Sequence, residues 1–327
     1  MCTVVVFRKQ NSYFGRNMDI DAPFGEKIIL MPRRYAFSLK SDPDWHTRYA
    51  MQGMGAAVGG CPLYAEAVNE KGLAGAGLNF PGTARYHDAA AGKSNIAPYE
   101  LIPWILSEAS TVDEAEKLLT NVNLIRVPFA ANLPLAPLHF IFSDARRSIV
   151  AEPMEDGLHV YDNPFDVLTN NPPFPFHLWN MRQYRRLSAA NGEASLDGFD
   201  ADFEPLKPFA EGMGAIGLPG DLSSASRFVR AAFTLAEAAG GDEEKNITQV
   251  FHILDSVAMT EGTVVTEAGR KDITRYSCCM NLSDGSYFYK TYGNSQISRV
   301  PMNEEAVTGT ALRVLEPRTR QNIFEQK

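Results

Sequence analysis

Cys2 is the residue whose type and position most directly suggest chemistry in this chain. Removal of Met1, which is usual when the second residue is small, would leave a thiol and a free α-amine on one residue. A thiol attacks as the thiolate and needs a proton acceptor nearby. A free α-amine has a reference pKa of about 7.7–8.0, which suits it to general-base work near neutral pH. Cys2 therefore predicts nucleophilic chemistry, although a cysteine here can also be just a small residue at a chain start.

Two charged residues, Arg16 and Asp19, lie on the strand predicted to pair with the strand of Cys2. The cation could favour the thiolate, and the carboxylate could hold and orient the ammonium group. Strand alternation places Arg16 and Asp19 on opposite faces, so we expect both to face Cys2 only if the strand bulges or ends near Asn17. The alternative for this pair is a surface salt bridge.

Acyl transfer also requires hydrogen-bond donors for the developing oxyanion, and two asparagines are candidates. Asn79 and Asn170 each end an apolar strand beside a proline-containing turn, where asparagine also serves as an ordinary turn former. Arg227 begins a predicted helix after a serine-rich entry that could supply the N-cap. Taken alone, Arg227 would be an exposed or ion-paired residue.

The composition excludes several classes of protein. The net charge of −8 over 327 residues argues against a broad nucleic-acid surface, and an anionic substrate would need a local basic group. No run of 18 apolar residues or signal-like N-terminus is present, so we expect no membrane association and a cytoplasmic location. The four cysteines form no CxxC pair and the six histidines are scattered, so we expect no disulfide framework, metal or cofactor.

The order of predicted elements indicates a layered α+β protein. Predicted strands occupy 3–7, 12–20, 27–32, 64–69, 73–80, 138–144, 148–154, 158–162, 167–171, 274–282 and 286–292. Predicted helices begin near 98, span 111–119, and recur at 175–189, 225–239 and 247–258. Blocks of strands between blocks of helices predict two antiparallel sheets with helices outside, in a single domain over 1–327. The apolar segment 124–138 contains three prolines and fits neither a helix nor a solvated loop.

Eight stretches of the chain, in order from Met1 to about Asn303, resemble the choloylglycine hydrolase family of bile salt hydrolases and penicillin V acylases. They are MCT, FGRNMD, NEKGLAGAGLNFPG, LHFIFSD, VLTNNPPF, GLPGDLSSASRFVR, FHILDSVAM and SYFYKTY. The resemblance implies a four-layer αββα N-terminal-nucleophile hydrolase fold. It also implies roles at six positions.

In those roles Cys2 is the nucleophile and its amine the base. The Asn170 side chain and the Asn79 backbone N–H form the oxyanion hole. Asp19 is the partner of the amine, and Arg16 and Arg227 bracket the thiol electrostatically.

The resemblance further implies that the enzyme hydrolyses glycine- or taurine-conjugated bile salts, because AGLNFP, with Asn79, resembles the bile salt hydrolases. It implies a steroid pocket lined by Met18, Ile20, Ala65, Phe129, Leu133 and Leu138. Ala65 and Leu138 could equally be plain core contacts. The alternatives are an acylase for penicillin V or another N-acyl amide, an acyltransferase using the same thioester, and a non-catalytic bile-acid binder. The resemblance also implies a homotetramer, for which 192–212 is a candidate packing loop.

Overall fold

Two antiparallel β-sheets, stacked face to face, form the centre of the molecule. The computed structural model describes residues 1–131, 133–192 and 207–326. The strands in chain order are β1 (Cys2–Lys9), β2 (Asn11–Ile20), β3 (Lys27–Met31), β4 (Met51–Val58), β5 (Cys61–Asn69), β6 (Ala74–Asn79), β7 (Ser94–Ile96), β8 (Val122–Leu124), β9 (Leu138–Ser143), β10 (Ser148–Met154), β11 (Gly157–Asp162), β12 (Val167–Leu168), β13 (Val264–Val265), β14 (Lys271–Asn281), β15 (Tyr287–Thr291), β16 (Asn294–Val300) and β17 (Arg313–Leu315).

Each sheet has its own strand order. Sheet I runs β12–β1–β2–β14–β15–β16, with the short β13 paired to β14. Sheet II runs β11–β10–β9–β6–β5–β4–β3–β17. The two sheets share one apolar core, to which β1, β2 and β14 contribute from sheet I and β6 and β9 from sheet II.

Helices cover the outer face of each sheet. The helices are α1 (Leu101–Glu108), α2 (Val112–Leu119), α3 (Phe174–Asn180), α4 (Ser224–Glu237), α5 (Glu243–Asp255) and α6 (Glu304–Thr308). The pair α4 and α5 packs on β1 and β2, while α1 and α2 pack on sheet II around a second core. This produces four layers in the order helix, sheet, sheet, helix. Across the described ranges, no helix is both long enough and apolar enough to cross a bilayer.

The four-layer arrangement explains why β1 has a continuous apolar run. Residues Val4, Val5 and Val6 are all buried because sheet II covers one face of the strand and helices cover the other. The Thr111 side chain accepts a hydrogen bond from Glu114 N, as expected for the start of α2. The predicted strands that begin the chain and both predicted hairpins are confirmed.

Several predicted boundaries are wrong. The helix predicted over 175–189 ends at Asn180 and continues as one 3₁₀ turn over Met181–Tyr184. The strand predicted over 167–171 stops at Leu168, because the chain turns there to present the following polar residues. Strand β4 was missed, since its two glycines interrupt the strand pattern. Most of the predicted packing loop, 193–206 of 192–212, lies outside the described residues.

Candidate active site

The Cys2 thiol lies at the start of β1 and faces sheet II. Cys2 pairs with Met18 and Val4 pairs with Arg16 in the antiparallel β1–β2 ladder. Residues directly opposite in such a ladder project to the same face, so Cys2, Arg16 and Met18 converge. Arg16 Nη2 lies 3.2 Å from Cys2 Sγ, and Met18 Sδ lies 3.8 Å from the same sulfur. The thiol therefore has a buried cation within hydrogen-bond distance.

The Arg16 guanidinium fills a gap between β5 and β6. Nη1 donates to Ala65 O at 2.5 Å and Nη2 donates to Gly77 O at 2.8 Å. Nη1 also donates to the Glu66 carboxylate at 2.9 Å, and both side chains are buried. Burial lowers the pKa of the Arg16 guanidinium, but the charges of Cys2 and Glu66 outweigh this effect and raise that pKa. Arg16 is therefore a permanent cation, and its guanidinium group is held by Ala65 O, Gly77 O, the Glu66 carboxylate and Cys2 Sγ.

Glu66 is a site residue that the sequence analysis missed. Its carboxylate accepts hydrogen bonds from Tyr276 Oη at 2.9 Å and Tyr287 Oη at 2.7 Å, besides the bond from Arg16. The Cys278 thiol lies 3.6 Å away. The only sequence signal was a carboxylate within the apolar strand YAEAVN, which marks a buried charge that needs partners.

Asp19 lies on the other face of β2, toward the helices. Its carboxylate accepts a hydrogen bond from Thr274 Oγ1 at 2.5 Å, and Oδ2 lies 4.0 Å from Arg227 Nη1. Burial raises the pKa of the Asp19 carboxyl, while Arg227 and Thr274 act in the opposite direction. Both Arg16 and Asp19 were expected to face the thiol only if β2 bulged or ended near Asn17, and that condition is not met. The β1–β2 pairing continues without a shift, and the irregularity in this region lies in β14.

Arg227 approaches Cys2 from the helical layer. Nη1 donates to Cys2 O at 2.6 Å and to Thr3 Oγ1 at 2.5 Å, and Nη2 donates to Asn170 Oδ1 at 2.7 Å. Ser223 caps α4, which fixes the first turn that carries Arg227. Burial lowers the pKa of Arg227, and Asp19 opposes that shift. Arg227 thus holds the backbone of Cys2, and it also interacts electrostatically with that residue. The expected bracketing of the thiol by Arg16 and Arg227 stays a prediction.

Asn170 and Asn79 meet beside Cys2. Asn170 Oδ1 accepts a hydrogen bond from Cys2 N at 2.9 Å, and its Nδ2 donates to Asn79 O at 2.7 Å. The Asn79 side chain is exposed. Phe80 N donates to Pro137 O on the β9 side, so the backbone groups of Asn79 point the other way, toward β5 and the gap that Arg16 fills.

The chain amine lies close to two acidic residues while Met1 is present. Met1 N donates to Asp19 O at 2.5 Å and lies 3.5 Å from Asp272 Oδ2. In this form Cys2 N is a peptide nitrogen, and Asn170 rather than Asp19 accepts its hydrogen bond. The pairing of Asp19 with a free Cys2 amine stays a prediction.

An apolar cavity of about 510 Å³ opens over Cys2. All six residues predicted for the substrate pocket line it: Met18, Ile20, Ala65, Phe129, Leu133 and Leu138. The proline-rich segment 124–138 forms part of the wall, and the Phe129 ring stacks edge-on against Tyr99 with centroids 5.4 Å apart. This explains why that segment is apolar without being a helix, because it lines a cavity of the size that binds small molecules.

Two stacked antiparallel sheets between helical layers, with a cysteine at the start of a central strand, define the fold of the N-terminal-nucleophile hydrolases. Penicillin V acylase from Agrobacterium tumefaciens has the same fold, with a TM-score of 0.75 and 19% identity over 96% of this chain and 90% of that chain. Residues 2–315 match the linear amide C–N hydrolases of the choloylglycine hydrolase family. The chain belongs to this family and is a linear-amide hydrolase.

Relatives named for the hydrolysis of bile salts or conjugated bile acids match over almost their whole length. The chain is 43% identical to the "Bile salt hydrolase/transferase" of Lactiplantibacillus plantarum, over 95% of each chain. It is 35% identical to the "Conjugated bile acid hydrolase" of Lactobacillus acidophilus, over 95% of this chain and 99% of that protein. The crystal structure of the C2A mutant of conjugated bile acid hydrolase from Clostridium perfringens matches with a TM-score of 0.92, at 35% identity over 100% of both chains. The predicted family and fold are therefore confirmed.

Proposed function

We propose that this enzyme hydrolyses the amide bond of glycine- or taurine-conjugated bile salts, with Cys2 as the nucleophile after removal of Met1. The observation that carries the proposal is the position of the Cys2 thiol, which lines the apolar cavity and lies 3.2 Å from the Arg16 guanidinium. Relatives named for bile salt or conjugated bile acid hydrolysis support the choice of substrate. A flat steroid with one polar tail suits an apolar cavity that has its reactive group at the inner wall.

Removal of Met1 has two consequences for the site. It turns the peptide nitrogen of Cys2 into an amine, which then carries the proton taken from the thiol. It also opens space, because Met1 itself lines the cavity. Asp19 and Asp272, which lie near the Met1 amine in the present chain, are acidic groups available to hold the new ammonium.

The Cys2 thiolate then attacks the amide carbon, and a carbon–sulfur bond forms as the carbonyl oxygen becomes an oxyanion. Asn170 Nδ2 carries two hydrogens, of which one goes to Asn79 O, so the other is available to the oxyanion. The Asn79 backbone N–H is the second donor in this scheme. Removing one such donor costs about 3–4 kcal/mol of transition-state stabilisation.

Collapse of the tetrahedral intermediate breaks the carbon–nitrogen bond. The Cys2 ammonium gives its proton to the leaving nitrogen, which releases glycine or taurine and leaves a cholyl thioester on Cys2. The amine then takes a proton from water, the hydroxide attacks the thioester, and free bile acid leaves with the thiol restored. Arg16 remains charged throughout and stabilises the sulfur whenever it is anionic.

Acyl transfer is the second candidate activity, because several relatives have names that include both hydrolase and transferase. The same thioester would then be attacked by the amine of an amino acid in place of water. Penicillin V hydrolysis has weaker support, since the acylase match is at 19% identity and concerns the fold. A homotetramer is a further expectation from the family resemblance, and a cytoplasmic location is the expectation from the sequence pattern.

The decisive experiment compares three substrates with purified protein whose mass confirms loss of Met1. We expect release of glycine from glycocholate and of taurine from taurocholate, with much slower hydrolysis of penicillin V. Added amino acids and product mass spectrometry measure the share of acyl transfer. Cys2→Ala should bind bile salts without turning them over. Turnover of penicillin V alone, or full activity in Cys2→Ala, would overturn the proposal.

A further inference from the structure

His139 and Glu152 form a buried polar pair close to the Asn79 and Asn170 segments. They come one residue beyond the last pair of the β9–β10 ladder, Phe140 with Ala151, and both side chains are fully buried. His139 Nδ1 lies 3.0 Å from Glu152 Oε1. The mechanism above uses neither residue, and the sequence analysis included His139 only within the stretch LHFIFSD. Stability alone does not explain a buried polar pair of this kind, because apolar residues often replace such pairs without loss of stability.

Each ring nitrogen of His139 faces an acceptor. Nε2 lies 3.1 Å from Thr169 O, and a carbonyl oxygen can only accept, so Nε2 carries a hydrogen. Both Glu152 oxygens also accept from Phe174 N, at 3.0 and 3.1 Å. The imidazole is therefore held by hydrogen bonds at both ring nitrogens, and its partner Glu152 is itself fixed by the Phe174 backbone. His139 belongs to β9 of sheet II, and its Nε2 bonds to Thr169 O, just after β12 of sheet I.

His139 contacts the neighbours of both oxyanion-hole candidates. Thr169, whose carbonyl it binds, precedes Asn170 in the chain. Phe80, which follows Asn79, stacks on the imidazole with ring centroids 4.3 Å apart and an angle of 2° between the planes. One rigid side chain thus touches the two segments that must keep Asn79 N and Asn170 Nδ2 aimed at a common point.

Other hydrogen bonds hold the Asn170 backbone, and some join it to the Asn79 segment. Asn170 Nδ2 donates to Asn79 O, and Asn171 Nδ2 donates to Pro81 O at 3.1 Å and to Thr83 Oγ1 at 2.7 Å. Ser224 Oγ accepts a hydrogen bond from Asn170 N at 2.9 Å, and His177 Nε2 lies 3.0 Å from Asn170 O. These two contacts fix Asn170 relative to α3 and α4. His139 differs from these contacts because its ring is fully buried and touches both segments from sheet II, through Thr169 O and the Phe80 ring.

We propose that His139 is a positioning residue that sets the spacing between the Asn79 and Asn170 oxyanion donors. The proposal rests on the proposed function, because it assumes that a tetrahedral oxyanion forms between those two groups. It predicts a defect confined to the step in which the oxyanion develops. Misplacing a catalytic group by about 1 Å can cost on the order of 100-fold in rate.

The test compares Glu152→Gln with the double variant His139→Leu and Glu152→Gln. In Glu152→Gln a neutral His139 still donates from Nε2 to Thr169 O and accepts at Nδ1 from the new amide, so we expect kcat close to wild type. The double variant lacks the histidine without leaving a buried unpaired carboxylate. For glycocholate we expect its kcat to fall by about 100-fold with KM unchanged.

Alkylation of Cys2 by iodoacetamide separates positioning from a general defect. This reaction displaces iodide at a saturated carbon and forms no oxyanion, so its rate should match in the two variants. Equal kcat values in the two variants would overturn the proposal, as would a parallel fall in kcat and alkylation rate. A kcat in Glu152→Gln as low as in the double variant would show that the charge is what matters, and would overturn it too.

Two further variants complete the experiment. Ser143→Ala removes another buried polar group from the same face of β9, away from Thr169 and Phe80, and should keep wild-type kcat. If the double variant does not fold, Phe80→Leu decides, because it removes the stacking and should lower kcat without changing alkylation. An unchanged kcat in Phe80→Leu would contradict the proposal. Failure of the proposed function looks different, since wild type itself would then not hydrolyse glycocholate.

Discussion

Arg16 Nη2 and Cys2 Sγ lie 3.2 Å apart in an interior that also contains the carboxylate of Glu66. Arg16 also donates hydrogen bonds to Ala65 O, Gly77 O and Glu66. The guanidinium group is therefore fixed in position before any negative charge forms on the sulfur. Such a fixed donor stabilises a thiolate without reorganising when the charge forms. We therefore propose that Arg16 sets the reactivity of Cys2.

Removing this cation should make Cys2 less reactive. Arg16→Gln alone would leave Glu66 buried and unpaired, which costs about 3–5 kcal/mol of stability. Arg16→Gln together with Glu66→Gln avoids that charge. A hydrogen bond to a charged group contributes about 1.5–3 kcal/mol, so the rate of Cys2 alkylation by iodoacetamide at neutral pH should fall by about tenfold or more.

The matched control for this prediction is Arg8→Gln together with Asp166→Asn, a second ion pair attached to β1. It lies away from the sulfur and should leave the alkylation rate unchanged. An equal fall of the alkylation rate in both double variants would mean that the rate depends on the overall stability of sheet I and not on the charge of Arg16. No fall in the Arg16 variant would contradict the role of Arg16.

The strands that carry Cys2 and Arg16 were predictable, whereas the partners of Arg16 were not. The run TVVVF and the alternation in the next segment specify a hairpin, and a hairpin register determines which side chains share a face. Glu66 and the carbonyls of Ala65 and Gly77 come from sheet II, about 50 to 60 residues further along the chain. Contacts between sheets depend on how the layers stack, and local patterns carry little of that information.

Strand β4 shows a second limit of the local patterns. Its glycines lie so close to β5 that a Cβ at Gly53 would be 2.0 Å from Glu66 O. Glycine at such a contact weakens the local strand signal while the tertiary structure requires it. The pocket residues, in contrast, came from the family resemblance, since an apolar side chain that lines a cavity has the same local pattern as one in a core.

Shortening the aromatic wall of the cavity should weaken substrate binding. Full burial of a Phe side chain contributes about 1.5–3 kcal/mol, so Phe129→Ala should raise KM for taurocholate by about tenfold or more while kcat changes little. Steady-state kinetics over a range of taurocholate concentrations measure both constants. Phe324→Ala, at an exposed position, is the control and should change neither. A loss of kcat at constant KM would show that Phe129 acts on the chemistry instead.

The packing of α5 on β2 leaves no space at Gly15. A Cβ there would lie 2.5 Å from Val250 Cγ1 and 3.2 Å from Leu254 Cδ1. Gly15→Ala should therefore lower the free energy of unfolding by about 1–3 kcal/mol, as overpacking does. Urea denaturation followed by circular dichroism measures the change. Gly220→Ala, where no heavy atom lies within 4 Å, should be nearly neutral, and equal losses would contradict this explanation.

The stability of the protein should depend on pH through the ionisation of Asp221, which lies just before α4. Hydrogen bonds from Ser223 and Ser226 lower the pKa of this carboxyl from its ordinary value of 3.8 to about 2. A carboxyl whose pKa is lowered on folding stabilises the protein above its ordinary pKa, and that contribution disappears as the pH falls through the folded value. Asp221→Asn should therefore be less stable than wild type at pH 7, by a small amount because the group is exposed.

Urea denaturation of both proteins at several pH values tests the sign of this effect. The difference in unfolding free energy should be constant near neutral pH and should shrink as the pH falls from about 4 towards about 2. A difference that grows on acidification would mean that Asp221 is not stabilised by its serine partners.

The claim on which the mechanism depends is that Cys2, freed of Met1, forms the acyl bond. The most direct measurement is acid quenching of the enzyme during turnover of glycocholate, followed by intact-mass and peptide mass spectrometry. We predict a cholyl adduct on the N-terminal peptide, at Cys2, in molecules that lack Met1 and only in those. An adduct on Cys61 or another residue, or equal turnover by protein that retains Met1, would contradict the account.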